Sequence, residues 1–394
     1  MRIQVLKRDD KPLLYIYITV FILLFNNIIH FLQDSIVQAI ALSVILALSY
    51  VKNKMTSILW YTIFFLISSF SFLFCSSENV ILTMVNTLFY ISIFNFLCID
   101  NKHINNVFEA MSVIGGIMFV YIIITYFSIL GYGRLGDHLE DTTFDNSIRF
   151  SYYIIAIICS SLVVINKSSS SALKMIAIVS IILGFIIAIF NGAKKGYIVP
   201  LFFILMYTFV KNKSNAIKLT IKITILIIAV SVIWNQIKDI DILQRYFVNR
   251  VESMIATFSN GIGADDDGST SARMSYIPVA FNKFIDSPIW GMGGLGFSSE
   301  YFMKVIKVSH PHNDFLNMLA AGGLVLFFIY YWFPFKILKS CFHAISKNKE
   351  AGLMFSLIVS LLFNNFNSST FNIPVINFFY AVLYRYLIIN RYYK

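Results

Sequence analysis

The sequence predicts an all-α polytopic membrane protein of about twelve transmembrane helices, with one large, partly helical outer loop between spans nine and ten. Three observations carry that expectation. The chain of 394 residues is 58% hydrophobic and only 13% charged, whereas a soluble domain needs roughly a quarter of its residues charged to cover its surface. Its mean hydropathy is +0.75. Apolar runs of about 17–20 residues, each long enough to cross a bilayer as a helix, recur along the whole length.

Polar breaks divide those runs into helices near 13–30, 35–51, 57–75, 79–98, 107–130, 150–166, 175–190, 197–210, 219–235, 313–333, 351–366 and 373–390. The first run follows "RDDK" and lacks a small-residue cleavage site, so it reads as a retained span. The short run at 197–210 reads as a span, tilted or partly re-entrant. Orientation follows from Lys and Arg in the short connections. Arg2, Lys7, Arg8, Lys11, Lys52, Lys54, Lys102, Lys167, Lys174, Lys211, Lys213, Lys336, Lys339, Lys347, Lys349, Arg391 and Lys394 all fall on one side. Both termini are therefore expected in the cytoplasm, with an even number of spans. The whole chain, 1–394, forms a single membrane domain, and residues 236–309 form the large outer loop within it.

That loop starts amphipathic, with Leu243, Phe247, Val251, Met254, Ile255 and Phe258 at helical spacing. After the polar break "GIGADDDGST" a second helical pattern begins at "SARMSYIPVAFNKFI", and "DSP" then leads into "GMGGLG". Cys75, Cys98, Cys159 and Cys341 sit in or beside apolar runs with neither pairing nor metal spacing, and read as small packing residues. The net charge of +11 belongs to the topological bias and does not call for nucleic acid.

The chemistry-bearing residues gather at outer ends. In "SHPHNDFLNMLAAGG" Pro311 suits the first turn of a helix, whose N-terminus welcomes anions and pushes a nearby imidazole toward its neutral form. A neutral His312 could accept a proton or orient a hydroxyl near pH 7. The plainer alternative is that His310 and His312 are interfacial polar residues without chemistry. His312, Leu316, Leu319 and Gly323 fall near one stripe, above a close-packed seam. Cations held outside against the bias need a reason: Lys194 and Lys195 in "NGAKKGY", Arg134 and Arg149 in the loop before the sixth span, and Arg273 in "STSARMSY". As a set they suit a phosphate-bearing ligand; one by one, pairing with outer carboxylates explains each about as well. "DDD" at 265–267 fits a solvated turn better than a metal site, since no nucleotide-binding unit surrounds it. "GMGGLG" lacks the preceding strand of a dinucleotide site and reads as a tight turn after Pro288. Asn364, Asn365, Asn367 and Asn372 in "FNNFNSSTFNIP" are costly in lipid unless they face a cavity or one another, or cap helix ends.

Arg273 in "RMSY", then "DSPIWGMGGLGF", then "HPHNDFLNMLAAGGL" resemble the O-antigen ligase and polymerase family, the Wzy/WaaL-type integral membrane glycosyltransferases. The large loop between spans nine and ten and the spacing from Asn313 to Gly323 resemble the family layout as well, over roughly 130–335. Two departures stand out. Leu326 occupies the place of a frequent second glycine, and "AKKG" stands where Ser-Arg-x-Gly is common, so that Lys194 or Lys195 would replace the arginine. A lysine holds phosphate as a point charge rather than in a bidentate fork.

The resemblance implies transfer of a glycan from undecaprenyl diphosphate at the outer face of a bacterial cytoplasmic membrane. Nucleotide sugars are cytosolic, so an outward-facing site must draw on a lipid carrier. Diphosphate leaves well under charge stabilisation alone, which implies neither metal nor cofactor. Arg273 with Lys194 or Lys195 would hold the diphosphate, helped by Arg149. His312 would activate or position the acceptor hydroxyl, and Asn313 and His310 would orient that site. The implied partners are the undecaprenyl-diphosphate-linked oligosaccharide, membrane lipid, and a chain-length regulator and flippase of the same pathway. A polymerase of O-antigen or capsular polysaccharide is favoured, because the lysines depart from the ligase-like turn. The alternatives are a ligase that moves glycan to lipid A–core and, in a different class, a lipid-linked oligosaccharide flippase. A flippase should bury charge within its spans, whereas here charge clusters at the outer lip.

Overall fold

The computed structural model describes residues 11–25, 35–49, 55–72, 78–126, 147–212, 220–221, 224, 240, 244, 248–260, 269–292, 313–346, 348–366, 368, 370–371 and 373–392. Among them the regular structure is helical throughout. In chain order the helices are α1 (Lys11–Phe25), α2 (Ser35–Ser49), α3 (Thr56–Phe72), α4 (Glu78–Leu97), α5 (Asn101–Tyr126), α6 (Ser147–Lys167), α7 (Ser171–Asn191) and α8 (Lys195–Asn212). There follow α9 (Asn249–Asn260), α10 (Ser269–Asp286), α11 (Asp314–Ala344), α12 (Lys349–Asn365) and α13 (Pro374–Ile389). Eleven of the twelve expected spans coincide with a helix, and 197–210 is one continuous helix, α8. The ninth, 219–235, lies largely outside the described residues. Among the described residues four helices are long and apolar enough to cross a membrane, and six shorter apolar ones accompany them.

The packing is that of a bundle in lipid. Along α7 the small or polar Ala177, Ser180, Gly184 and Asn191 are buried with Ile187 and Ala188, while Met175, Ile178, Val179 and Ile182 point outward. Lipid removes the hydrophobic reason to bury large side chains, so small residues that let backbones approach make the contact. Ser180 Oγ donates to the carbonyl of Ser112 at 2.9 Å and the hydroxyls of Ser112 and Ser161 meet at 2.8 Å, which joins α5, α6 and α7. Helix ends follow local chemistry. Ser170 caps α7 by accepting from the amide of Leu173, Gly192 closes it in the left-handed conformation, and Asn348 caps α12. Cys98, Cys159 and Cys341 are free and buried, as packing residues would be.

The last helix, α13, is the axis. Every residue from Pro374 to Leu387 is buried, and α13 touches α3, α4, α5, α6, α11 and α12. A helix apolar on all sides belongs inside a bundle. Around it, α11 carries Pro334, which has no N–H for the carbonyl of Tyr330. The indole N–H of Trp60 on α3 supplies that donor at 2.9 Å and also reaches the carbonyl of Ile329 at 3.1 Å. In a bilayer, where water cannot repair a freed carbonyl, such a donor is needed.

The 236–309 segment departs from expectation in one detail. Among the described side chains of α9 the buried ones are Ser253 and Thr257, with Val248 just before it, and Ile255 of the expected apolar face is exposed. Leu243 and Phe247, and the side chains of Met254 and Phe258, lie outside the described residues. Thr257 can turn inward because its own helix serves it: Thr257 Oγ1 donates to the carbonyl of Ser253 at 3.0 Å.

Candidate active site

Two ends of the bundle meet at the turn between α12 and α13, and a third packs further along α11. The first is the start of α11. Asn313, extended at φ −143°, accepts the amide of Leu316 on its side chain at 3.1 Å and so caps the helix. Its neighbour Asp314 is fully buried. Asp314 Oδ2 accepts from Thr370 Oγ1 at 2.9 Å and from the hydroxyl of Tyr331 at 3.2 Å. Thr370 also bonds Asn365 Oδ1, and Asn365 Nδ2 donates to the Tyr331 hydroxyl. Asn377 steadies the same turn by donating to the carbonyls of Thr370, Phe371 and Ile373 and accepting from the Tyr330 hydroxyl.

The second end is the turn between α7 and α8. Lys195 opens α8 yet is only 8% exposed. Its Nζ donates to Ser368 Oγ at 3.0 Å and lies 3.4 Å from the centroid of the Tyr152 ring on α6. A cation so enclosed keeps much of its field, since little water screens it. Lys194, in the same turn, is half-buried. Ser368 and Thr370 are two residues apart, so one short turn joins the buried cation to the buried carboxylate. Asp314 Oδ1 and both amide atoms of Asn364 have no hydrogen-bond partner among the described residues.

The third end is the loop before α11. Gly323 interrupts α11 at φ 58°, ψ −161°, a region that in practice only glycine occupies. The gap is filled by backbone from residues 288–292. Leu324 N donates to the carbonyl of Pro288 at 2.9 Å and Val325 N to that of Ile289 at 3.2 Å; Met292 N donates to the carbonyl of Ala320 at 2.9 Å. Gly291, at φ 67°, packs directly on the backbone of Ala321 and Gly322. The turn expected after Pro288 thus completes the ladder of a broken helix, and the expected seam at Gly323 is contact with this turn. Just before it, α10 lies against α11, with Ala280 on Ala320 flanked by Val279 and Leu316. Arg273 precedes Ala280, and Asn313 precedes Ala320, by the same two helical turns.

Of the residues proposed from sequence, Lys195 and Asn313 are brought to this junction, Lys194 to its edge. Arg149 lies in the first turn of α6 and Arg273 in α10, but their side chains lie outside the described residues, as do His310 and His312. Asn364 and Asn365 are fully buried, and Asn365 has partners in Tyr331 and Thr370; Asn367 and Asn372 lie outside the described residues. Sequence reasoning gave no role to Asp314, Tyr152, Tyr331, Ser368 or Thr370. Asp314 had a signal, being an ionisable residue at the start of an apolar span. The others are common residue types, and only their meeting makes them notable.

Apolar outward faces and a polar junction buried at one end suit an integral membrane protein. Residues 154–331 match the family model described as O-antigen ligase. Over that stretch, a little under half its length, the chain is similar to the O-antigen ligase/polymerase-type family. No curated protein matches it.

Proposed function

We propose that this protein is a polysaccharide polymerase of the bacterial cytoplasmic membrane, with both termini in the cytoplasm. It would transfer glycan from undecaprenyl diphosphate to a hydroxyl of a lipid-linked repeat unit. The observation that supports this most is the meeting of Lys195, Asp314 and the capped start of α11 on one buried turn. Such a junction suits a ligand that brings a diphosphate and sugar hydroxyls together. The acceptor oxygen bonds to the anomeric carbon, the anomeric C–O bond to phosphate breaks, and the diphosphate leaves as an anion. Lys195, with Lys194, Arg273 and Arg149, balances its charge. Burial over Tyr152 makes Lys195 the better match for the arginine usual in the family. His312 takes the acceptor proton, while Asn313 and His310 orient that side. The Asp314 Oδ1 and Asn364 amide atoms are suited to bond sugar hydroxyls.

Purified protein given a lipid-linked repeat unit, without metal or nucleotide, is expected to build a ladder of longer glycans. No ladder unless lipid A–core is added would mean a ligase, and no product with either acceptor would end the enzyme reading. His312→Ala is expected to remove elongation while the protein still reaches the membrane. Lys195→Met keeps the stem beside Tyr152 and is expected to slow elongation about a hundredfold, as loss of a charge-stabilising donor does. Elongation at the normal rate in Lys195→Met would exclude that lysine from the diphosphate site.

A further inference from the structure

The far end of α11 carries a second polar site. Trp332, Phe335, Lys336, Lys339 and His343 of α11, with Arg391 just after α13, line a cavity of about 650 Å³. Asp314 and His343 stand at opposite ends of one helix, roughly 40 Å apart at the usual rise per residue. This cavity is therefore separate from the junction described above. Its described walls hold three fixed cations, an imidazole and no acidic side chain. Trp332 and Phe335 are 49% and 41% exposed on the outward face of α11, so the cavity opens beside an apolar surface. Lys336 Nζ lies 4.9 Å from the centroid of the Trp332 ring, the pairing of amphipathic side chains usual where a helix leaves the hydrocarbon.

Arg391 adds an independent sign. It is the one non-glycine residue at positive φ among the described residues, at 57°. Tyr392 N donates to the carbonyl of Leu387 at 2.8 Å and Arg391 N to that of Ile388 at 3.0 Å. These are the paired bonds of a helix end at which glycine ordinarily takes the left-handed position. A side chain there strains the backbone, and retained strain points to a side chain that is used.

We propose that this cavity binds the phosphate headgroup of an anionic phospholipid from the leaflet at that end of the bundle. Lys339 and Arg391 face the phosphate, and the acyl chains lie along Trp332 and Phe335. Basic pockets between membrane helices suit this chemistry, and the apolar lip suits a lipid rather than a free anion.

The test uses the full chain in phosphatidylcholine nanodiscs, to which brominated phosphatidylglycerol or brominated phosphatidylcholine is added. Quenching of Trp332 is read as the difference between the native protein and Trp332→Phe. Phosphatidylglycerol is expected to quench at lower mole fraction than phosphatidylcholine. Lys339→Gln and Arg391→Gly are each expected to weaken that preference about fivefold, the worth of one basic residue near anionic lipid. Because Arg391→Gly relieves the strained helix end, its melting temperature should not fall, which separates lost binding from lost folding. Equal quenching by the two lipids, or an unchanged preference in both variants, would overturn the proposal. Displacement of phosphatidylglycerol by inorganic phosphate at the same concentration would overturn it in favour of a free-anion site.

Discussion

Gly323→Ala is expected to detach the 288–292 turn from α11 and to lower stability by about 4 kcal/mol. The backbone of Gly323 lies where a side chain is strained by about 1–3 kcal/mol. A Cβ there would press on the carbonyl of Ile289 and the amide of Gly291, and backbone atoms cannot move aside as a flexible side chain can. Three hydrogen bonds between the turn and the helix would then be lost, each worth about 1 kcal/mol. Thermal unfolding in detergent, together with protease cleavage between α10 and α11, would measure the effect. Gly352→Ala is the comparison. Inside α12, the nearest atom to its new methyl is Val210 Cγ1 at 2.8 Å, the end of a side chain that can turn, so it should unfold close to the native temperature. If Gly323→Ala behaves like Gly352→Ala, the turn does not hold the helix together.

Asp314→Leu is the second large effect expected, about 3 kcal/mol of lost stability. Leucine is similar in size, so the loss would come from polarity rather than from a cavity. The hydroxyl of Tyr331 would lose the acceptor it shares with Thr370, and a buried donor left unmatched costs about 1–3 kcal/mol, whereas Thr370 keeps Asn365 Oδ1. Asp314→Asn keeps one carbonyl oxygen for those hydroxyls and should retain most of the stability. The pair of melting temperatures would decide the matter: equal losses in both variants would mean that the carboxylate's hydrogen bonds do not secure the junction.

Much of this protein was legible before its fold. The spans were readable because a bilayer demands runs of a set length, and eleven of them coincide with helices. The turn after Pro288 and the buried amides at Asn364 and Asn365 were readable for a similar reason. Turn chemistry and the cost of polarity in lipid both act over a few neighbouring residues. The motifs around Arg273, Pro288 and Asn313 also carried the family resemblance with which the match over 154–331 agrees.

What the sequence left open lies in contacts between distant segments. Local pattern gives no reason for Lys195, rather than Lys194, to be the residue placed over Tyr152 and bonded to Ser368. The helical pattern of α11 runs straight through Gly323, because periodicity records which face is apolar and not where the hydrogen-bond ladder is handed to another part of the chain. Asp314 reads alone as a first-turn acid that favours a helix start, and becomes part of a junction only when the turn after α12 brings Thr370 to it. The sequence by itself determined the solvent, the helices and the chemical types available at each end. Tertiary structure decided which of those groups share one buried space, because a hydrogen bond needs two partners and the chain places them as far as 310 residues apart.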